Sequence, residues 1–424
     1  MRILRPGVAL ALVLFASVCA VVPGPAGAQA LRGGEFRLNQ SAAGFQLAVD
    51  VATAANGDFV AVWLEAQASP PQLRVEARRF AADGRAKGGD LLVAVLPGVP
   101  LSPPRVAVDA AGRFIVVWTS PFANPLRPAQ VFAQRFDATG RPLGARLAVR
   151  PSPHVETDPD VAMTADGRAV IVWSQATGRF DPEDVEIQEI SFRRLAANGA
   201  FAGPAVLSHE GELPRVAVRG NGAFAIASQI YGFDASLYDV YLSLFSPTGV
   251  PVRAIFQVNA GPNASNSQFD PALAIAPSGK MFVSWTDRAG DGGESGATID
   301  DTPGIAGQLL AADGTPIGAN VRINTFWQGS QEASAVAATP SGGFLVAWAS
   351  GAAQDGDGFG IFERQFAADG RKLGTETRIN LARDDDQLFP AVALAPNGRG
   401  VAAWAGRDGD GTGVLARRFE PPAL

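Results

Sequence analysis

Six aspartates in the C-terminal half have a spacing that suits metal binding. They fall in three pairs, and in the second and third pairs the aspartates alternate with glycine. The pairs are Asp287 and Asp291, Asp355 and Asp357, and Asp408 and Asp410. Carboxylates arranged in this way can surround a hard cation such as Ca²⁺, and glycine permits the sharp backbone of a ligand loop. A complete calcium loop also carries further oxygen ligands and a closing glutamate, which these segments lack. Solvated Asp-Gly turns are therefore favoured, and a calcium site stays open as the second interpretation.

Two further features have the residue types of a ligand site. Asp384, Asp385 and Asp386 form an acidic run, and Trp327 lies outside the repeat described below. An exposed aromatic side chain can stack on a sugar or anchor a protein partner, and it can equally fill a gap between structural units. We predict that these four residues bind a protein, a glycan or another cell-surface ligand.

Familiar catalytic motifs are missing from this sequence. It contains no Gly-x-Ser-x-Gly elbow, no phosphate-binding loop and no His-Glu-x-x-His segment. The histidines His154 and His209 fall in the crossover loops of different repeats, so no zinc site is predicted. A carboxylate pair such as Asp384 and Asp408 can hydrolyse a glycoside only if the fold brings the two groups together.

A row of tryptophans marks the elements that must position these residues. Each ends a short apolar run, and the six are Trp63, Trp118, Trp173, Trp285, Trp348 and Trp404. A seventh copy of the run ends at Ala227, where the tryptophan is lost. A period of more than fifty residues indicates an array of supersecondary units.

Each copy is predicted to form four strands, because short apolar runs alternate with Gly-containing turns and helical periodicity is nearly absent. The predicted fold is all-β, a seven-bladed β-propeller of four-stranded blades. The blades are expected at 45–96, 104–150, 159–208, 214–259, 271–324, 333–380 and 389–420 with 34–39. The last copy lacks its fourth strand, so strand 35–39 should complete that blade and close the ring. An open solenoid, the alternative, would instead end in a capping unit.

Antiparallel strands divide the connections between two faces of the ring. The tight turns between strands one and two, and between three and four, share one face. The longer loops between strands two and three share the other face with the crossovers between blades. Binding residues usually lie on loops that a rigid scaffold presents. We therefore expect the ligand site on this second face, called the long-loop face below.

The first thirty residues are typical of an export signal. Arg2 and Arg5 precede an apolar run, and cleavage is expected after Ala28 or Ala30, which leaves 31–424 as a single propeller domain. A lipid anchor on Cys19 is not favoured, because the bulky Val18 precedes it. We expect a secreted or periplasmic protein with no membrane span after cleavage.

The charge of the chain bears on its partners. The formal net charge is −6, and only three lysines are present. Nucleic-acid binding needs clustered Lys and Arg, so we expect no nucleic-acid partner. We also expect a monomer.

The repeat resembles that of a group of secreted bacterial proteins, whose copies read Pro-x-Val-Ala, Gly-x-Phe-Val-Val-Trp and Arg-x-Phe-x-x-x-Gly. The sixth copy matches best, through Gly343–Trp348, Gln354–Ile361 and Arg364–Phe366, and the match covers nearly all of 33–420. The group has no established shared activity, so the resemblance implies the fold and not a function. Sialidase-type propellers are only distantly similar, because the turn Phe80–Gly84 lacks the Ser and Trp of their Ser-x-Asp-x-Gly-x-x-Trp motif.

Two functions are compatible with these observations. The first is an exported, non-catalytic propeller that binds an unidentified ligand through its long-loop face. The alternative is a glycan-active hydrolase or lyase that uses carboxylates on that face.

Overall fold

The protein is an all-β ring. The computed structural model describes these residues: 28–41, 44–68, 71–122, 128–180, 186–232, 238–259, 267–288, 303–351, 354–408 and 411–421. They form 28 strands in seven antiparallel sheets of four. Within those ranges there is no helix, and therefore none of the length and apolarity that a membrane crossing requires.

The first strand along the chain, β1 (Ala30–Arg37), belongs to the last blade. Blade one contains β2 (Phe45–Thr53), β3 (Phe59–Ala68), β4 (Pro71–Phe80) and β5 (Leu91–Leu96). Blade two contains β6 (Arg105–Val108), β7 (Phe114–Thr119), β8 (Val131–Phe136) and β9 (Leu147–Ala148). Blade three contains β10 (Glu156–Met163), β11 (Ala169–Phe180), β12 (Glu186–Leu195) and β13 (Val206–Glu210).

The remaining blades follow in the same order. Blade four contains β14 (Glu212–Val218), β15 (Phe224–Tyr231), β16 (Tyr238–Phe245) and β17 (Pro251–Gln257). Blade five contains β18 (Gln268–Ile275), β19 (Met281–Asp287), β20 (Gly304–Leu310) and β21 (Val321–Arg322). Blade six contains β22 (Gln331–Ala338), β23 (Phe344–Ser350), β24 (Gly360–Phe366) and β25 (Lys372–Arg378). Blade seven contains β26 (Leu388–Leu394), β27 (Gly400–Arg407) and β28 (Thr412–Glu420), with β1 outside them.

The predicted seven-bladed propeller and its closure are confirmed. The first strands of neighbouring blades contact one another all the way round, so they line a central channel. In blade seven, β1 pairs with β28 from Ala30 opposite Glu420 to Arg37 opposite Leu415. The closing strand begins at Ala30 and not at residue 35, because the register shifts between Arg32 and Phe36 and pairing continues on both sides.

The tryptophans form the core between blades. Trp63 and its five counterparts are at most 1% exposed. Trp63 packs with Val401 and Val414 of blade seven, so each such tryptophan faces the preceding blade. Truncating a buried Trp to Ala costs about 3–5 kcal/mol, and the row therefore holds the ring together.

The residue that replaces tryptophan in blade four is Ser228, and the prediction of Ala227 was wrong by one position. Every other tryptophan lies six residues after its tight-turn glycine, and six residues after Gly222 is Ser228. Ala227 faces the other way and packs with Trp285 of blade five. Counting from one tryptophan to the next missed this shift, because the loops between them vary in length.

His209 approaches Ser228 from blade three. It lies in β13, so the prediction that it falls in a crossover loop was wrong. Its Nε2 is 2.7 Å from Ser228 Oγ, and its Nδ1 is 2.7 Å from Ser208 Oγ. The blade interface that lacks a tryptophan is thus filled by a small polar cluster that contains a histidine.

Candidate functional site

A bulge near the start of six of the seven first strands sets the side chains that face the channel. In six blades one residue there has a positive φ, and these are Ala48, Asp158, Leu213, Asp270, Ala333 and Phe389. Strand pairing shifts at the same place, for example between Leu47 and Asp50. Blade two has Pro103 there, whose ring holds φ at about −65°, so β6 begins only at Arg105. Bulges of this kind re-aim the side chains that follow them.

The residue after the bulge alternates in charge round half of the ring. It is the x of Pro-x-Val-Ala, and in blades one to four it reads Asp50, Arg105, Asp160 and Arg215. Together with Asp270 of blade five, these side chains form what we call the charged arc. They line a cavity of about 580 Å³. Because its lining comes from the beginnings of the first strands, the cavity lies at the long-loop end of the channel.

The opposite side of this cavity is apolar. The residue after the bulge is alanine in blades five to seven, as Ala272, Ala335 and Ala391, and Ala333 and Phe389 lie beside them. We call these five residues the apolar arc. Phe389 is 51% exposed, which is unusual for so large an apolar side chain. The cavity therefore joins a polar wall to an apolar wall.

Backbone donors fix the carboxylates of the charged arc. Val106 N donates to Asp50 Oδ2 and Val216 N donates to Asp160 Oδ2, both at 2.8 Å. Each aspartate therefore ties its own blade to the next one. An ionised carboxylate has about four acceptor sites, so these bonds leave capacity for a ligand.

Arginines lie between the aspartates. Arg215 Nη2 is 3.4 Å from Asp270 Oδ1, and Arg105 Nη1 is 3.9 Å from Asp50 Oδ1. Burial raises the pKa of the Asp50 and Asp160 carboxyls, and Arg105 offsets part of this effect. Burial likewise lowers the pKa of Arg215. The arc is thus a row of partly desolvated charges of alternating sign.

The other end of the channel is less suited to recognition. A cavity of about 690 Å³ lies there, and prolines, alanines and tight-turn residues line much of it. Arg219 is the charged side chain in its described lining, and its Nη2 donates to Gly279 O at 3.3 Å. Size alone would favour this cavity, but the chemistry favours the long-loop end.

Two of the predicted calcium ligands belong to a buried network. Asp355 Oδ2 accepts a hydrogen bond from Asn380 Nδ2 at 2.7 Å, and Asp408 Oδ2 accepts one from Asn39 Nδ2 at 3.4 Å. A Cβ on Gly360 would lie 2.6 Å from Asp355 Oδ2, which is too close, so a residue larger than glycine does not fit at this position. The first aspartate of each Asp-Gly motif, Asp355 or Asp408, therefore connects the loop after strand two to the crossover that follows strand four.

The same network recurs at four blade junctions. An asparagine two residues after the fourth strand donates to a glutamine of the next blade, and the pairs are Asn39–Gln46, Asn259–Gln268, Asn324–Gln331 and Asn380–Gln387. The asparagine also accepts a backbone N–H of its own blade, as Asn380 does from Ile361 at 2.8 Å. At the junction of blades two and three, Glu156 Oε2 accepts from Val131 N directly.

The remaining acidic candidates fold the crossover between blades six and seven. Asp386 Oδ1 accepts a hydrogen bond from Phe359 N at 3.0 Å, and Asp385 Oδ2 pairs with Arg407 at 2.8 Å. Asp357 Oδ2 accepts from Asp385 N at 3.3 Å. The carboxylate of Asp384 is exposed, and no contact to it is seen in the described parts of the chain.

The calcium interpretation stays a prediction. Asp287 Oδ1 accepts from Gln268 Nε2 at 3.1 Å, while Asp291 and Asp410 lie outside the described residues. The described ranges contain no group of three or more His, Cys, Asp or Glu side chains that could hold a metal ion. The carboxylates of Asp355 and Asp408 each accept an amide N–H, from Asn380 and Asn39 respectively.

Trp327 differs from the other tryptophans. It lies in the crossover from blade five to blade six, on the long-loop face, and is 54% exposed. The predicted position on this face is therefore observed. Trp327 is thus about half exposed on the same side of the ring as the channel cavity.

Sequence reasoning missed the charged arc, although a signal was present. The repeat position x is charged in four successive blades and alanine in the other three. A variable charge at one position of an otherwise apolar repeat marks a surface. The ligand site was expected on loops, whereas these side chains lie on strands that line the channel.

Neither a protein-family profile nor a curated protein sequence matches this chain. Among solved structures it is similar to a protein of unknown function from Dyadobacter fermentans (TM-score 0.52, 11% identity, covering 94% of this chain and 100% of that one). It is similar to polysaccharide lyase Uly1 (TM-score 0.53, 10% identity, 90% and 91% covered). It is also similar to an alpha-L-arabinanase of Penicillium chrysogenum complexed with arabinobiose (TM-score 0.50, 12% identity, 93% and 98% covered). At such low identity, these likenesses show the β-propeller fold alone.

Proposed function

We propose that this protein is an exported, non-catalytic binding module that takes its ligand at the long-loop end of the channel. The observation that carries the proposal is the cavity between the charged arc and the apolar arc. Binding sites are typically concave, with apolar walls and a few fixed polar groups, and this cavity has both. Trp327 and Asp384 extend the same face outward from the channel.

The state of the carboxylates supports binding over catalysis. Acid and base roles require two groups whose surroundings push their pKa values apart. Asp50 and Asp160 occupy equivalent positions in the repeat, and burial raises the pKa of both. Each also accepts a backbone N–H of the following blade. Asp160 has both Arg105 and Arg215 near it and Asp50 has Arg105, but burial raises the pKa of both carboxyls, so neither is set apart as the base.

A matched pair of variants tests the proposal. Ala335→Leu fills the cavity at the apolar arc, and Ala312→Leu makes the same change at the tight-turn end of the channel. Wild type and both variants are applied to arrays of glycans and peptides. Binding should fall for Ala335→Leu and persist for Ala312→Leu, with equal melting temperatures. Binding that survives Ala335→Leu or is lost only with Ala312→Leu would contradict the proposal.

The alternative function is a glycan-active hydrolase or lyase. A general acid needs a raised pKa, and Asp50 and Asp160 both have one. The fold is also similar to that of a polysaccharide lyase and an arabinanase. Incubation with a panel of polysaccharides decides between the functions. Turnover that is abolished by Asp50→Asn or Asp160→Asn would replace the binding proposal.

Export and an isolated monomeric ring belong to the same proposal. The closed fold includes Gln29, whose N donates to Gln365 Oε1 at 2.6 Å and whose O accepts from Gln365 Nε2 at 2.9 Å. Cleavage after Ala28 keeps this contact, and cleavage after Ala30 removes it. We therefore favour Ala28, and the mass of the exported protein checks the choice.

A further inference from the structure

We infer that the ligand of this cavity is a neutral sugar residue, presented at the end of a glycan. The inference rests on the proposed function and names the chemical class that the two arcs fit. It is carried by the order of charges in the charged arc, the composition of the apolar arc and the closed shape of the channel.

The alternation of charge selects groups that both donate and accept hydrogen bonds. Arg105 lies between Asp50 and Asp160, and Arg215 lies between Asp160 and Asp270 in blade order. A sugar hydroxyl accepts from a guanidinium and donates to a carboxylate. Neighbouring hydroxyls on a sugar ring can therefore be satisfied in sequence along the arc.

An acidic ligand fits the same arc poorly. A single carboxylate placed against it meets repulsion from the aspartates as well as attraction from the arginines at close range. The lining also contains Asp158, which gives four carboxylates against two guanidiniums. This excess disfavours acidic sugars in particular. A neutral polyol has no net charge to be repelled.

The apolar arc supplies the second half of a sugar site. One face of a sugar ring carries mainly C–H groups and needs an apolar surface opposite the hydroxyl contacts. Ala335 and Ala391 line this side of the cavity, and Phe389 provides an exposed aromatic ring beside them. The alanines leave room that larger side chains would fill.

The shape of the cavity favours entry by a chain end. Seven blades enclose the channel, so a chain end can enter it along the axis. The volume of about 580 Å³ is within the range of small-molecule sites. Trp327 is about half exposed on the same face, where later residues of an entering chain would lie.

Ligand-observed saturation-transfer NMR tests the inference with methyl glycosides of three kinds: neutral hexoses and pentoses, uronic acids, and amino sugars. We expect the neutral glycosides to bind about tenfold more tightly than the uronic acids, which the excess of carboxylates repels. Asp160→Asn keeps an acceptor for Val216 N but removes a charge-assisted bond, and should weaken neutral-sugar binding about tenfold. Asp83→Asn, on an exposed tight turn, is the matched control and should change nothing.

The outcomes separate this inference from the proposed function. Preference for a uronic acid or an amino sugar, with loss of binding in Asp160→Asn, would overturn the neutral-sugar inference and leave the channel site standing. Peptide binding that is blocked by Ala335→Leu, without any sugar binding, would do the same. Binding of any ligand that neither channel variant affects would overturn both. Unchanged melting temperatures for all variants exclude misfolding as the cause.

Discussion

Acid should destabilise this protein through one histidine. His209 is held among the hydroxyls of Ser208, Ser228 and Ser243, at 2.7, 2.7 and 3.3 Å. Burial lowers the pKa of His209 to about 4. In the unfolded chain a histidine titrates near a pKa of about 6.5. The folded protein therefore binds this proton less readily than the unfolded chain does.

The sign and size of the effect follow from these two pKa values. Above a pH of about 6.5 both states are neutral at His209, and its full contribution to stability is present. As the pH falls, the unfolded chain takes up the proton first and gains free energy. One pKa unit corresponds to about 1.36 kcal/mol, so at a pH of about 4.5 the loss is about 2.5 kcal/mol. It is complete once the pH is below about 4.

The assay is denaturant unfolding at neutral and acidic pH for wild type, His209→Gln and His154→Gln. Other groups titrate over the same range, so the wild-type change alone is not diagnostic. Glutamine can still hydrogen bond the serines but does not titrate. The free energy of unfolding should therefore fall by about 2.5 kcal/mol less in His209→Gln than in wild type. His154→Gln, which changes the other histidine, should follow wild type. Parallel pH profiles for wild type and His209→Gln would refute the reasoning.

Three further predictions concern the buried carboxyl of Glu156, the asparagine network between blades and the calcium interpretation. Glu156→Gln should raise the free energy of unfolding by about 3 kcal/mol at a pH of about 8. Burial raises the pKa of Glu156 from 4.5 to about 7, so wild type loses stability over this pH range as the unfolded chain releases a proton that the folded state keeps. The gain should vanish near a pH of about 4. Asn380→Ala should cost about 2–4 kcal/mol in denaturant unfolding, since it strands Asp355 and Gln387, whereas Asn198→Ala in an exposed turn should cost under about 1 kcal/mol. Chelation with EDTA should leave the melting temperature unchanged, and a fall that Ca²⁺ restores would establish the calcium site instead.

The fold was predictable because the repeat carries redundant information. Seven copies of one pattern fix the number of blades, and the missing fourth strand of the last copy predicts closure by the N-terminal strand. The assignment of Ala227 in place of Ser228 arose because the distance between tryptophans includes loops of different length. The glycine of the tight turn is the reliable reference, because it is joined to its strand without a loop.

The candidate site was only partly predictable. The sequence placed Trp327 and Asp384–Asp386 on the long-loop face, where the structure also has them, because antiparallel topology determines the face of every loop. It could not show that Asp355 and Asp408 turn inward to crossover amides, because this depends on asparagines 25 or more residues away. The charged arc could be recognised only once the innermost strand of each blade was known. The contacts between the first strands of neighbouring blades identify that strand.

The most direct test of the central claim is a crystal structure of the protein with the tightest-binding compound from the arrays. We predict that its electron density lies in the long-loop cavity, between Asp160 and Arg215 on one side and Phe389 on the other. Density at the tight-turn end of the channel or on the outer rim of the ring, with this cavity empty, would contradict the account.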